Sequence, residues 1–195
     1  MSKLGKFSVL SVLGSGGHTT EMLKMVEGLD SKHYSKTFVH ANTDTMSARK
    51  LLALSSKDFQ VRLSFLNNTA CHSYLLILQI RQIPRAREVG QSWFSSLFFT
   101  IWAFLHSIPV VFKCQPELVL VNGPGTCVPI VLVSKLLSFI KLCPPVKIIF
   151  VESVCRVKSL SLSVKLLWYF LDEVIVQWPE LTESHRGVKY IGHFL

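Results

Sequence analysis

Short, almost uninterrupted apolar runs alternate with longer helical patterns along this chain, and no other feature restricts its fold as much. The runs fall at 7–13, 36–41 (KTFVHA), 60–65 (QVRLSF), 117–121 (ELVLV), 147–152 (KIIFVE) and 173–178 (EVIVQW), with a weaker one at 188–191 (VKYI). Helical patterns occupy 20–29, 45–54, 126–140 and 160–171. A strand covered on one face alternates apolar with polar residues; a strand covered on both faces is apolar throughout. Such strands interleaved with helices call for a parallel sheet with helices on both sides. The expected fold is therefore α/β, a doubly wound, Rossmann-like parallel sheet. At 195 residues the chain has room for one core, so residues 1–195 read as a single domain.

The first apolar run stops at Gly14-Ser15-Gly16-Gly17-His18 and gives way to an amphipathic stretch, Glu21-Met22-Leu23-Lys24-Met25-Val26. Thr19 or Thr20 is placed to cap that helix, with Glu21 in its first turn. Glycine allows positive φ and close backbone approach, and a helix N-terminus presents unpaired N–H groups to an anion. A tight turn would need one glycine; three of them before a helix start favour a phosphate or pyrophosphate site. The site is neither of the common phosphate fingerprints. A P-loop needs Lys-Ser/Thr where His18-Thr19 stands, and a dinucleotide loop needs glycine at position 19. Asp44 lies further on than the acid that binds ribose in that motif.

Two later loops have the same position relative to their strands. VNGPGTCVPI at 121–130 carries Asn122, Gly123 and Gly125, with Thr126 as a possible helix cap. FVESVCRV at 150–157 ends a strand with Glu152 and Ser153 and follows it with Arg156, an arrangement that suits either a site or a paired structural turn. Ligands of open parallel sheets bind at the carboxyl ends of the strands, so all these loops can face one crevice.

Residues 93–113 interrupt the alternation. From Trp93 to Phe112 there is no charged side chain; Lys113 follows, and Arg81, Arg85 and Arg87 precede. Three placements compete: a buried core helix, an interfacial helix with basic residues on lipid headgroups, and a spanning helix near the lower length limit. Composition bears on the partners. Hydrophobic residues make up 49% and charged residues 17%, with a formal net charge of +9. That balance suits anionic lipid or phosphorylated ligands. Nucleic acid is not expected, because no basic stripe interleaved with aromatics is present. Five cysteines without a close pair give neither a disulfide framework nor a zinc site. No metal or cofactor is expected.

Several longer strings are more specific than any single loop. GSGGHTTEM, NTD at 42–44, IPRAREVGQSW at 83–93, NGPGTCVPI at 122–130, VESVCRVKSLSLS at 151–163 and IVQWPEL at 175–181 occur in this order over nearly the whole chain. In them the sequence resembles the membrane-recruiting subunit of the bipartite UDP-N-acetylglucosamine transferase of dolichol-linked oligosaccharide assembly. The resemblance implies the N-terminal half of a split GT-B glycosyltransferase, active only as a heterodimer with a catalytic subunit. The pair would add the second N-acetylglucosamine to N-acetylglucosaminyl-diphosphodolichol on the cytosolic face of the endoplasmic reticulum membrane. The split enzyme is similar to the bacterial lipid II-forming transferase, whose N-terminal glycine loop also ends in Gly-His and faces the lipid pyrophosphate.

This carries an acceptor-diphosphate role onto Gly14, Ser15, Gly16, Gly17 and Thr19, with Arg85 and Arg87 beside them. His18 becomes the candidate base for the acceptor hydroxyl, or a phosphate contact; its alternative is a structural histidine. Imidazole, with a reference pKa of about 6.5, suits base work at neutral pH. Asn122, Gly123, Gly125, Thr126, Glu152 and Arg156 form the second loop group at the cleft. Ile191, Phe194 and Leu195 are candidates for docking the catalytic subunit, unless the tail folds back on its own sheet. The family usually carries a spanning helix before the glycine-loop strand, and only six residues precede Phe7 here: either this form lacks the anchor or the sequence is a shortened version, and residues 93–113 could supply peripheral attachment. Two other functions compete: a self-sufficient small nucleotide-sugar enzyme, and a recruitment module without active-site residues. A complete GT-B enzyme needs two such domains, which weighs against the first.

Overall fold

The computed structural model describes residues 6–51, 80–84, 93–123 and 125–192. Among these residues seven strands form one parallel sheet in the order β3-β2-β1-β4-β5-β6-β7. They are β1 (Phe7–Val12), β2 (Tyr34–Ala41), β3 (Ile80–Ile83), β4 (Leu118–Val121), β5 (Lys147–Val151), β6 (Glu173–Val176) and β7 (Val188–Tyr190). The helices are α1 (Gly17–Glu27), α2 (described over 45–51), α3 (Trp93–Cys114), α4 (Cys127–Phe139), α5 (Leu162–Leu167), which continues as a 3-10 turn over Trp168–Phe170, and α6 (Glu180–Ser184). The expected doubly wound sheet is present.

Its two faces sort by side-chain alternation. Leu10, Val12, Val39, Val119 and Val121 point into the larger core with residues of α3, α4 and α5. Leu13 and Phe38 point the other way, where Met22, Leu23 and Val26 of α1 and Leu51 of α2 cover them. The strand order reverses between β1 and β4, and this switch point opens the crevice above the carboxyl ends of both.

Three expectations change. The third strand is Ile80–Ile83, an edge strand whose Arg81 and Gln82 are exposed; the expected strand at 60–65 lies outside the described residues. Helix α1 starts at Gly17, with Gly16 at the N-cap and no side chain capping it. Glu21 is therefore in the second turn. Thr19 does not cap because its hydroxyl turns back to the Gly14 carbonyl and to Ser47 Oγ. Finally, α3 is neither fully buried nor free. Ala103, Ser107 and Val111, spaced four apart, are buried toward the core, while Phe98, Ile101, Trp102 and Leu105 are exposed. No helix among the described residues is long and apolar enough to cross a membrane.

Candidate functional site

The crevice is built from loops that follow β1, β4 and β5. At the first, Gly16 has φ +68° and ψ −121°, a conformation open to glycine alone, and it turns the chain so that α1 points its N-terminus outward. The first N–H groups of a helix have no intrahelical partner, and none is capped here by a side chain. A Cβ at Gly16 or Gly17 would meet nothing within 4 Å among the described residues, so the space next to these two positions is open. Lys50 of α2 reaches over this turn, its Nζ donating to Gly16 O at 3.1 Å and Thr20 Oγ1 at 2.9 Å. The loop thus joins helix-end N–H groups to a fixed ammonium, both favourable to an anion.

Behind the loop the polar groups are structural. Asp44 is buried and caps α2, accepting from Ser47 N at 3.0 Å and Ser47 Oγ at 2.5 Å. It is not placed as a ribose-binding acid. Ser47 Oγ also lies 3.0 Å from the Gly14 carbonyl, an alternative acceptor for its one proton, and so sets α2 against the glycine loop.

The loop after β4 meets the first directly. His18 Nδ1 lies 2.7 Å from Asn122 Oδ1, joining groups 104 residues apart in the chain. Asn122 Nδ2 donates to Glu21 Oε2 at 2.6 Å, and Ser153 Oγ, just after β5, donates to Glu21 Oε1 at 2.9 Å. Asn122, Glu21 and Ser153 are all buried, whereas His18 is partly exposed. Gly123 has φ +75° and lies against the His18 ring. Its carbonyl accepts from Ser163 Oγ of α5 at 2.9 Å. Gly125 faces open space. Thr126 takes the N-cap position of α4, as expected, but its hydroxyl makes no capping bond.

Glu152 and Arg156 do not form the paired turn that their spacing allowed. The buried Glu152 carboxylate accepts from Ser161 N at 2.8 Å and Ser153 N at 3.3 Å, holding the 153–161 loop closed. Trp178 Nε1 pins the same loop through Val154 O at 2.6 Å. Arg156 is exposed and makes no salt bridge among the described residues. Cys127 begins α4, where a helix N-terminus would favour a thiolate, yet burial dominates and pushes its thiol up to about 12. It is packing, not a nucleophile.

A family model described as "Oligosaccharide biosynthesis protein Alg14 like" matches residues 9–194. The chain belongs to the Alg14-like family. Relatives named "UDP-N-acetylglucosamine transferase subunit ALG14" include one from Rattus norvegicus, 42% identical over 187 residues, covering 96% of this chain and 82% of the relative. One from Homo sapiens is 40% identical, covering 96% and 83%. One from Schizosaccharomyces pombe is 43% identical, covering 94% and 81%. Among solved structures, MurG of Acinetobacter baumannii superposes with a TM-score of 0.60 at 14% identity, covering 96% of this chain and 44% of MurG. The fold of this Alg14-like chain is thus one half of a GT-B glycosyltransferase, as the sequence motifs implied.

The Alg14-like fold brings Gly14, Ser15, Gly16, Gly17, His18 and Thr19 to one side of the crevice and Asn122, Gly123, Gly125 and Thr126 to the other. Arg85 and Arg87 lie outside the described residues, as do Phe194 and Leu195. Ile191 is 55% exposed just past β7. Sequence reasoning missed Lys50, Glu21 and Ser153. Glu21 lies three residues after His18, a spacing that puts both on one helical face and was the available signal.

Proposed function

We propose that this chain is the acceptor-side subunit of a UDP-N-acetylglucosamine transferase. It holds N-acetylglucosaminyl-diphosphodolichol for addition of the second N-acetylglucosamine and recruits a catalytic subunit to the cytosolic face of the endoplasmic reticulum membrane. One observation carries this reading. At the switch point of the sheet, the start of α1 is uncapped, with the Lys50 ammonium bonded to Gly16 and Thr20 there and the His18 imidazole held by Asn122. A diphosphate fits the first two, and a sugar hydroxyl beside it falls to the third. The names of the relatives supply the donor, and the share of MurG covered accounts for the need of a second chain.

In the reaction, the acceptor hydroxyl oxygen bonds the anomeric carbon of the donor sugar. The bond from that carbon to the diphosphate breaks, and UDP leaves with the electron pair. The hydroxyl proton goes to His18 Nε2, which has no hydrogen-bond partner among the described residues. The exposed face of α3 would rest on the membrane, with the chain's positive charge drawn to anionic headgroups.

The test is reconstitution with the catalytic subunit. Gly17→Val introduces no positive-φ strain, so the fold and partner binding should persist while acceptor KM rises or turnover is lost. Normal kinetics in the folded variant would place the acceptor elsewhere. Turnover by the isolated chain would favour a self-sufficient enzyme.

A further inference from the structure

The buried groups behind His18 do more than fill space. Each end of the Asn122 amide has a definite neighbour: Glu21 Oε2 at 2.6 Å on one side and His18 Nδ1 at 2.7 Å on the other. A carboxylate has no hydrogen to give, so the amide must turn its NH₂ toward Glu21. Its carbonyl oxygen then faces the imidazole and can only accept. The proton of neutral His18 is thereby placed on Nδ1, and Nε2 is left with its lone pair. Glu21 is itself fixed, because Ser153 Oγ donates to its other oxygen at 2.9 Å.

We infer that Ser153, Glu21 and Asn122 form a relay that sets the tautomer and angle of His18, keeping Nε2 unprotonated and ready to receive the acceptor hydroxyl's proton. The inference rests on the reading of His18 as a base at the acceptor site. Glu21 and Asn122 are positioning residues, not catalytic ones. When His18 takes the proton on Nε2, Asn122 Oδ1 still accepts from Nδ1–H, so the ring keeps its orientation. Asn122 cannot pass a proton on, so the charge stays on the ring until the product leaves.

Burial supports a dedicated arrangement. Glu21 is 5% exposed and Asn122 fully buried, and a buried carboxylate is costly unless its partners are arranged for it. The relay also crosses elements. His18 and Glu21 share α1, Asn122 follows β4 and Ser153 follows β5, so the tautomer depends on the three central segments being in place.

The tautomer can be read without any enzyme assay. In the full chain labelled with ¹⁵N-histidine, His18 is assigned by loss of its signal in His18→Gln. Long-range ¹H–¹⁵N correlation at about pH 8, where imidazole is ordinarily neutral, should show protonated Nδ1 and unprotonated Nε2. Glu21→Gln keeps the shape but supplies an NH₂ of its own, which lets the Asn122 amide turn over. The Nε2–H form should then appear, and kcat of the reconstituted complex should fall about tenfold or more with little change in acceptor KM. Ser153→Ala, which touches neither His18 nor Asn122, should shift both readouts in the same direction by less. A wild-type His18 in the Nε2–H form would overturn the relay. So would Glu21→Gln with unchanged tautomer and kcat. Full turnover by His18→Ala is a different failure: it would remove the histidine from the reaction, and with it the reading on which the relay rests.

Discussion

A Cβ on residue 123 would stand 3.1 Å from His18 Cε1. Gly123 is therefore the wall against which the imidazole rests, and its φ of +75° lies where other residues are strained. Gly123→Ala should cost about 1–2 kcal/mol of stability from the left-handed backbone alone. It should also push the ring off Asn122 and lower turnover of the complex. Gly125→Ala meets nothing within 4 Å and needs no positive φ, so its melting temperature should match wild type. Thermal melts of the two variants side by side make the comparison, and equal stability would refute the wall.

His18→Ala should lower kcat of the reconstituted transferase by about 100-fold or more, within the ordinary range for general acid–base groups. Stability should change little, since the ring is only partly buried. If the loss falls wholly on acceptor KM, His18 holds phosphate and takes no proton.

The exposed face of α3 should bind membranes. Phe98, Ile101, Trp102 and Leu105 lie on it at exposures of about half or more, and Lys113 stands in the last turn. Removing a large apolar side chain from a buried position costs about 1.5–3 kcal/mol, or roughly tenfold or more in partitioning. Trp102→Ser with Leu105→Ser should cut binding to anionic vesicles by about 100-fold, measured by flotation. Binding should also weaken as salt rises. Unchanged flotation would mean that the face packs on protein instead.

Cys127 gives a prediction for alkaline pH. Its folded thiol keeps its proton up to about 12, against an ordinary value of 9.0. The folded state therefore binds the proton more tightly than the unfolded chain. The contribution is complete below pH about 9 and is lost as pH rises from there toward 12. Cys127→Ala should lose stability less steeply than wild type across that window in denaturant titrations. At neutral pH an alkylating reagent should modify exposed Cys155 and leave Cys127 untouched.

Ile191 follows β7 and is 55% exposed. Ile191→Asp should leave the melting temperature of the isolated chain within the small range of surface substitutions, about 0.5 kcal/mol. If the end of the chain docks the catalytic subunit, affinity for that subunit should fall at least tenfold by titration calorimetry. A fall in stability with no partner present would assign Ile191 to this chain's own fold.

The strands that line the crevice were legible because burial on both faces leaves no room for polar residues. LVLV at 118–121 and KIIFV at 147–151 carry that mark directly. The strand 80–83 was not legible, since the polar, exposed Arg81 and Gln82 break the apolar run. The glycine loop was legible as a type of site, but the start of its helix was not. Two threonines looked like caps, and only the packed structure shows Thr19 turned toward Gly14 and Ser47. Glu21 read as an ordinary helix-start acid, because nothing local reveals that Asn122 and Ser153 close over it. Interactions across about a hundred residues leave no periodic trace.

The same separation governs how the chain is made. β1 pairs on one side with β2, which follows it closely, and on the other with β4, which is synthesised only after residue 117. During synthesis the apolar edge of β1 that will pair with β4 must wait, unpaired, for that neighbour. Contacts of such long sequence separation form slowly, and waiting edges invite wrong pairings. The crevice that unites His18 with Asn122 thus cannot form before β4 has been made. Substitutions in β4 that leave the finished fold intact should still reduce yield, by lengthening the interval in which β1 stands open.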